Sequence, residues 1–198
     1  MIVESIHGSA WTPLGLAGAL WAVLALYWLV SAFGRKPAQR RENPLARLVH
    51  TLFMALAFYL LYTTKPGSEW LHARFFPDTP LVAWLGLLVT GAGIGFAVWA
   101  RAHLGKQWSG EVTIRQDHEL IASGPYAWIR HPIYSGLLTA MLGTAFIIGE
   151  IRGLVAVVIA TMGFWWKARK EEGFLREQFG EGYEEHRRRT GFFLPRLR

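Results

Sequence analysis

The side chains best suited to chemistry lie in two polar segments that interrupt an otherwise apolar chain. Residues 124–134 read Gly-Pro-Tyr-Ala-Trp-Ile-Arg-His-Pro-Ile-Tyr and place an arginine, a histidine and two tyrosines beside an apolar run. The second segment is the carboxylate pair Glu171 and Glu172. Each strong hydrogen-bonding group left unpaired at such a boundary costs about 1–3 kcal/mol. A bound polar cofactor is one partner that would satisfy these groups.

The elements that must position these residues are largely membrane-like. Of the 198 residues, 52% are hydrophobic and only 18% are charged, which is too apolar for a typical soluble domain. Residues 14–33 and 81–100 are free of charge and reach the length of about 20 residues that a helix needs to cross a bilayer. Residues 48–64 form a shorter apolar run, which predicts a third crossing.

Two further apolar runs predict an antiparallel helical hairpin. Residues 133–149 and 153–166 are individually short for a crossing, and the polar residues between them predict a turn. The fold class is therefore an all-α integral membrane protein with about five transmembrane helices, this short hairpin included. We expect a single domain over residues 1–198, with three transmembrane helices in 1–100 and the polar segments in 101–198.

The distribution of charge predicts an orientation in the membrane. The net charge is +7, and the basic residues flank the apolar runs instead of forming a stripe with base-stacking aromatics, so nucleic acid is not an expected partner. The positive-inside rule assigns the first connection, the loop 101–130 and the tail to the cytosol, with the N-terminus outside. The chain has no cysteine, which excludes disulfides and thiolate nucleophiles. Its histidines show no metal-ligand spacing, so no metal is expected.

Three motifs in fixed order resemble those of the isoprenylcysteine carboxyl methyltransferase family and of the related phospholipid N-methyltransferases. They are Arg-His-Pro-Ile-Tyr at 130–134, Lys-Glu-Glu at 170–172 and Phe-Gly-Glu-Gly-Tyr at 179–183, and the likeness extends over residues 104–195. Members of that family are membrane-embedded helical enzymes. The resemblance therefore implies a methyltransferase that uses S-adenosyl-L-methionine, bound in a cytosolic cap.

The resemblance also implies roles for individual residues. The cofactor-binding positions would be His118, Leu120, Ile121, Tyr126, His131, Pro132, Tyr134, Glu171 and Glu172. The catalytic positions would be Arg130, Tyr134, Lys167 and Glu171. Carboxylates suit this cofactor because it carries a sulfonium and an ammonium. Two positions depart from the family pattern: Lys167 stands where relatives often have arginine, and His186 where they often have a second tyrosine.

The methyl acceptor stays open between two chemistries. The resemblance favours an isoprenylcysteine-like carboxylate, which is ionised at neutral pH and requires no general base. A phospholipid or lipid amine would have to lose a proton first, with Glu171, His131 or Tyr126 as the candidate base. Either acceptor would be lipophilic and would enter from the bilayer, among membrane lipids. A non-catalytic lipid-binding membrane protein is the alternative from another class.

The glycines Gly91, Gly93 and Gly95 superficially resemble a nucleotide-binding loop. No strand precedes them, and Phe96 occupies the position of the last glycine. Small residues let membrane helices approach one another, so these glycines predict close helix packing instead.

Overall fold

The computed structural model describes residues 12–31, 43–65, 67–105 and 120–196. Its α-helices are α1 (Pro13–Val30), α2 (Pro44–Tyr62), α3 (Pro80–Leu104), α4 (Pro132–Ile148), α5 (Ile151–Phe179) and α6 (Glu181–Arg189). Two short 3-10 helices, Glu69–His72 and Gly124–Ala127, precede α3 and α4. Within the described residues, β pairing is limited to two isolated bridges. The predicted all-α architecture is confirmed.

Proline and polar caps set the starts of the first four helices. Each begins with proline at its first turn, where the missing N–H is not needed. Thr12, Asn43 and Thr79 also accept a backbone N–H with their side chains, at 3.1, 2.9 and 3.4 Å. These caps satisfy donors that have no partner inside the helix.

Within the part of the chain that the structure describes, four helices are long and apolar enough to cross a membrane. They are α1, α2, α3 and α5, and α4 is a shorter apolar helix of 17 residues. Gly149 adopts a positive φ of 68° at the end of α4, and α5 begins two residues later, so the predicted hairpin is present. The fifth predicted segment, 153–166, is the membrane part of a longer helix that continues into the polar tail and ends at Gly180.

Glycines bring α3 and α4 into close contact. A Cβ on Gly93 would lie 2.4 Å from the backbone N of Ala140, and one on Gly143 would lie equally close to the N of Thr90. The prediction of close packing is therefore correct for Gly93. It is wrong for Gly95, which is exposed and has no such neighbour within 4 Å among the described residues. This α3–α4 contact fixes where the first turn of α4 lies.

The turn of the hairpin is clamped by a buried arginine. Arg152 Nε lies 2.7 Å from Glu150 Oε2, and its Nη1 donates to the carbonyls of Leu60 and Leu61 at 2.9 and 3.0 Å. His72 Nδ1 lies 3.2 Å from the same carboxylate oxygen of Glu150. The end of α2 and the loop before α3 are thereby tied to the hairpin turn.

The chain after α6 returns to the first turn of α4. Residues 190–193 run beside residues 128–131: Arg130 N donates to Gly191 O at 2.9 Å, and Gly191 N donates to Trp128 O at 3.0 Å. A Cβ on Gly191 would lie 1.7 Å from the carbonyl oxygen three residues on, so only glycine fits there. We call residues 190–196 the C-terminal segment.

Candidate active site

Two helices bring the predicted polar residues together. His131 and Tyr134 stand on the first turn of α4, three residues apart, and their rings stack with centroids 5.7 Å apart and planes 9° from parallel. Lys167 and Glu171 are four residues apart on α5, a spacing that puts both side chains on one face of a helix. The antiparallel hairpin then sets this face of α5 against the start of α4.

Glu171 is held by Tyr134. The Tyr134 hydroxyl donates to Glu171 Oε1 at 2.5 Å, and His131 Nδ1 lies 3.5 Å from Glu171 Oε2. Phe164 stacks on the other side of the Tyr134 ring at 4.8 Å. The Glu171 side chain is still 24% exposed, so it has both a fixed orientation and access to a ligand.

Glu172 is buried and paired with Arg130. Arg130 Nε donates to Glu172 Oε1 at 2.7 Å, while Arg130 Nη1 donates to the carbonyls of Thr190 and Arg187 at 2.6 and 3.2 Å. The glutamate side chain is only 2% exposed. One guanidinium therefore joins α4, α5 and the C-terminal segment around this carboxylate.

Two buried atoms of the cluster have no hydrogen-bond partner within the described part of the chain. They are His131 Nε2, whose nearest carboxylate oxygen is Glu172 Oε1 at 3.6 Å, and Glu172 Oε2. Arg169 Nη1 approaches Glu172 Oε2 only to 3.7 Å, which is too long for a hydrogen bond. A buried donor or acceptor without a partner costs about 1–3 kcal/mol, so a ligand that pairs with these atoms would recover that free energy.

The electrostatics of the cluster favour a charged His131. Burial alone lowers the pKa of His131, but the adjacent carboxylates of Glu171 and Glu172 outweigh it, and the net pKa is raised. Burial raises the pKa of Tyr126, and the charge of Glu171 adds to the effect. The Tyr126 phenol is therefore a poor base at neutral pH.

The structure gathers most of the predicted site residues but not all of them. Arg130, His131, Tyr134, Glu171 and Glu172 form the cluster described above. Lys167 Nζ lies 6.0 Å from the centre of the Tyr134 ring, at the edge of the cluster.

The other predicted positions lie around the cluster. Pro132 is the buried first residue of α4. Tyr126 is buried in the 3-10 helix before it, and its ring stacks on that of His103 with centroids 6.4 Å apart. Leu120 and Ile121 are half-buried in the irregular segment that leads to this 3-10 helix. Neither residue takes part in the hydrogen bonds and ion pairs of the cluster described above. His118 lies outside the described residues.

Several residues that contact the cluster were missed by the sequence analysis. Phe192 packs on His131 with ring centroids 4.9 Å apart, and Ser135 Oγ donates to the carbonyl of Phe193 at 2.6 Å. On α2, the ring of His50 lies 5.6 Å from that of Phe164. The two phenylalanines after Gly191 are the sequence feature that could have predicted the contact between the C-terminal segment and the cluster. Nothing in the α2 sequence singles out His50.

Comparisons with known proteins agree with the all-helical membrane fold. The family model described as phospholipid methyltransferase matches residues 81–182, a segment that contains the whole cluster except the C-terminal segment. The chain belongs to the phospholipid methyltransferase family.

Individual relatives carry more particular names. The protein-S-isoprenylcysteine O-methyltransferase of Xenopus laevis is 27% identical over 98% of this chain and 68% of its own length. The human protein of the same name is 31% identical over 69% of this chain, which spans 51% of the human sequence. A probable protein-S-isoprenylcysteine O-methyltransferase of Oryza sativa subsp. japonica is 31% identical, with 68% of its length covered. The resemblance drawn from the motifs is confirmed.

A solved structure supports the fold. The eukaryotic intramembrane Ras methyltransferase ICMT (isoprenylcysteine carboxyl methyltransferase) superposes with a TM-score of 0.60 at 23% identity, over 92% of this chain and 67% of that one. The likeness extends to the membrane helices that precede the matched family segment. The chain is therefore an integral membrane protein of that fold.

Proposed function

We propose that this protein is an S-adenosyl-L-methionine-dependent membrane methyltransferase that methylates the carboxylate of an isoprenylcysteine-like, lipophilic acceptor. The names of the relatives support the reaction and the acceptor. We propose further that residues 1–198 act as one membrane-embedded unit, with the N-terminus outside and the C-terminus in the cytosol. The basic residues on α5 and α6 support this orientation.

The observation that carries the proposal is the pair of unpartnered buried atoms, His131 Nε2 and Glu172 Oε2, beside the partly exposed Glu171. A purely structural cluster would have its buried polar atoms paired. Two carboxylates and one imidazole fit the ammonium, sulfonium and carboxylate of the cofactor in charge and in hydrogen-bonding capacity. When bound, S-adenosyl-L-methionine supplies a methyl group on a positively charged sulfur.

Each residue of the cluster has its own role in the proposed binding of the cofactor. Glu171 and Glu172 provide negative charge, Tyr134 orients Glu171 through its hydroxyl, and Arg130 orients Glu172. The proposed cofactor positions also include His118, Leu120, Ile121, Tyr126, His131, Pro132 and Tyr134. Tyr126 and the leucine and isoleucine before it would line the apolar side of the pocket.

The acceptor carboxylate requires a positive charge at the rim of the same cluster. Lys167 provides one, because its Nζ lies 6.0 Å from the ring of Tyr134 and its charge acts on Glu171. Arg130, Tyr134, Lys167 and Glu171 are the proposed catalytic residues. Since a carboxylate is already ionised, catalysis would depend on alignment, which can contribute about 7–11 kcal/mol when reacting atoms are held in a near-attack geometry.

The first test is calorimetry of the lipid-reconstituted protein with S-adenosylhomocysteine, the demethylated form of the cofactor. Saturable binding that falls at least about tenfold in Glu172→Gln is expected, because that change removes the buried charge. The exposed Glu185→Gln is the matched control and should bind like the wild type. Absence of saturable binding would contradict the proposal and favour a non-catalytic lipid-binding protein.

A lipid-amine N-methyltransferase is the second candidate. The description of the matching family model favours it. Lys167 favours it too, because lysine carries a point charge and lacks the planar guanidinium with which arginine binds both oxygens of a carboxylate. The two acceptors differ in their pH dependence. Methylation of a farnesylated cysteine should be nearly flat across neutral pH, whereas methylation of phosphatidylethanolamine should rise with pH because the amine must lose a proton.

A further inference from the structure

A basic pocket lies beside the C-terminal segment, next to the cluster but not part of it. It has a volume of about 360 Å³ and is lined by Arg130, Arg187, Arg188, Thr190, Phe192 and Arg196. We call it the arginine pocket. Four of its six lining residues are arginines, and it shares only Arg130 with the cluster of proposed catalytic and cofactor-binding residues.

Two of these four positive charges have carboxylate partners. Arg130 pairs with Glu172 at 2.7 Å, and Arg187 pairs with Glu184 at 2.9 Å. Within the described part of the chain, no carboxylate lies within 4.0 Å of a charged nitrogen of Arg188, which is exposed.

Arg196 has a different kind of neighbour. Its Nη1 donates to the carbonyl oxygen of Arg188, which is a neutral acceptor, and no carboxylate among the described residues forms an ion pair with Arg196. The lining of the arginine pocket thus carries more positive than negative charge. Arg187 and Arg188 lie on α6, and Arg196 lies in the C-terminal segment.

The chemistry of this surplus suits a phosphate group. Arginine presents a rigid fork of N–H donors that matches phosphate oxygens. Several guanidinium groups at one pocket favour an anion that carries multiple acceptor oxygens.

The surroundings of the pocket indicate a lipid as the source of that phosphate. Leu194 is 77% exposed and Trp128 is 58% exposed; Trp128 lies in one of the two stretches that pair beside the start of α4, and Leu194 directly follows the other. Exposed tryptophan and leucine next to arginine are typical of the headgroup level of a membrane. A soluble anion would gain nothing from these apolar side chains, whereas the acyl chains of a lipid would cover them.

We propose that the arginine pocket binds the phosphate of an anionic membrane phospholipid. Binding would hold the C-terminal segment against the first turn of α4, because Arg130 and Thr190 belong to the pocket and are already joined by a hydrogen bond. The anionic cytosolic leaflet attracts basic segments at this depth. The proposal concerns lipid binding and does not depend on methyl transfer.

The test is a titration of the full-length protein in neutral detergent with a short-chain, water-soluble phosphatidylglycerol, followed by calorimetry. Saturable binding is expected, at least about tenfold tighter than that of phosphatidylcholine with the same acyl chains. Arg188→Gln should weaken phosphatidylglycerol binding at least about tenfold. Arg189→Gln is the matched control: it removes the same charge one residue away, but Arg189 pairs with Glu185 outside the pocket, so its affinity should stay within about twofold of the wild type.

Several outcomes would overturn the proposal. Unchanged binding in both Arg188→Gln and Arg196→Gln would show that the pocket is not the site, and an equal loss in Arg189→Gln would show only general attraction to a basic surface. Displacement of the lipid by an equal concentration of inorganic phosphate would identify a free-phosphate site instead. Far-ultraviolet circular dichroism of each variant checks that its helices are retained. If Arg188→Gln fails to fold, Arg196→Gln decides whether the arginine pocket is the lipid site.

Discussion

The α4–α5 hairpin has a buried arginine–glutamate pair at each end. At the turn, Arg152 Nε lies 2.7 Å from Glu150 Oε2, and at the open end Arg130 Nε lies at the same distance from Glu172 Oε1. The two arginine side chains are 9% and 12% exposed. The two pairs thus have the same charges, distance and degree of arginine burial.

They differ in what their remaining polar atoms contact. At the turn, Arg152 donates to the carbonyls of Leu60 and Leu61, in the last turn of α2, where carbonyls have no partner inside the helix. At the open end, Glu172 Oε2 and the neighbouring His131 Nε2 are buried without a hydrogen-bond partner among the described residues. An arginine–glutamate pair by itself therefore does not distinguish a structural clamp from the proposed binding site; the two ends differ in the unsatisfied atoms beside the pair.

The largest effect should come from breaking the pair at the turn. Arg152→Met should lower the free energy of unfolding by about 3 kcal/mol, because it leaves Glu150 with His72 as its remaining partner and leaves two backbone carbonyls without their donor. The affinity of the folded protein for S-adenosylhomocysteine should stay within about twofold, because the change is at the far end of the hairpin. Thermal unfolding and calorimetry on the same preparations measure the two quantities.

The control for this variant is Arg189→Met. Arg189 forms an exposed i,i+4 pair with Glu185 and is 69% exposed, so its loss should change the free energy of unfolding by less than about 0.5 kcal/mol. If Arg152→Met weakened ligand binding but left stability intact, the structural assignment of the turn would be wrong.

The next effect concerns Glu171, where the affinity for the ligand should change and the stability should change little. Glu171→Gln keeps an oxygen for the Tyr134 hydroxyl but removes the charge, so S-adenosylhomocysteine should bind at least about tenfold more weakly, which is about 1.4 kcal/mol. The unfolding temperature without ligand should move little, because the side chain is 24% exposed and keeps its hydrogen bond. A large loss of stability with unchanged affinity would place Glu171 in the same class as Glu150.

A smaller effect is a dependence of stability on pH that only the open end should show. The raised pKa of His131, caused by Glu171 and Glu172 against the effect of burial, means that the folded state holds this proton more tightly than the unfolded state. Its stabilisation is complete below the ordinary pKa of 6.5 and is lost as pH rises through the raised value. Burial, with the charges of Arg130 and His131, lowers the pKa of His186, so its contribution is lost as pH falls below 6.5.

The two histidines should therefore limit stability from opposite sides of pH 6.5. Each contributes a slope of at most about 1.4 kcal/mol per pH unit. Unfolding temperatures measured from about pH 5 to about pH 8.5 should decline less steeply on the alkaline side in His131→Asn and less steeply on the acid side in His186→Asn. If unfolding temperature depended on pH in the same way in the wild type and in both variants, the assignment of the two declines to His131 and His186 would be wrong.

Sequence patterns predicted the helices better than the contacts between them. The apolar runs predicted α1, α2, α3 and the hairpin, because burial in a bilayer acts on each segment separately. The motif residues were predicted as a group, yet the pairing of Glu172 with Arg130 and of Glu171 with Tyr134 was not, since it depends on how α5 is rotated against α4.

Contacts to backbone atoms were the least predictable part of the site. Arg130 holds the C-terminal segment through the carbonyls of Thr190 and Arg187, and Arg152 holds α2 through those of Leu60 and Leu61. Every residue has such a carbonyl, so no residue type marks the acceptor. For this reason the sequence analysis predicted neither set of carbonyl contacts, although the resemblance assigned Arg130 to the site and the polar turn between the two apolar runs contains Arg152.

The smallest expected effect concerns Lys167, one of the two positions at which the sequence analysis found a departure from the family pattern. Lys167→Arg keeps the positive charge near Tyr134 and adds a planar fork. The affinity for S-adenosylhomocysteine should stay within about twofold, while KM for a farnesylated cysteine should fall by about twofold to fivefold, corresponding to less than about 1 kcal/mol. Lys167→Met should raise that KM instead, and Lys170→Arg, on the neighbouring Trp166 ring, serves as the control that should change neither. If Lys167→Arg left KM for the carboxylate unchanged but altered methylation of phosphatidylethanolamine, Lys167 would belong to an amine site, and the acceptor would be the lipid amine.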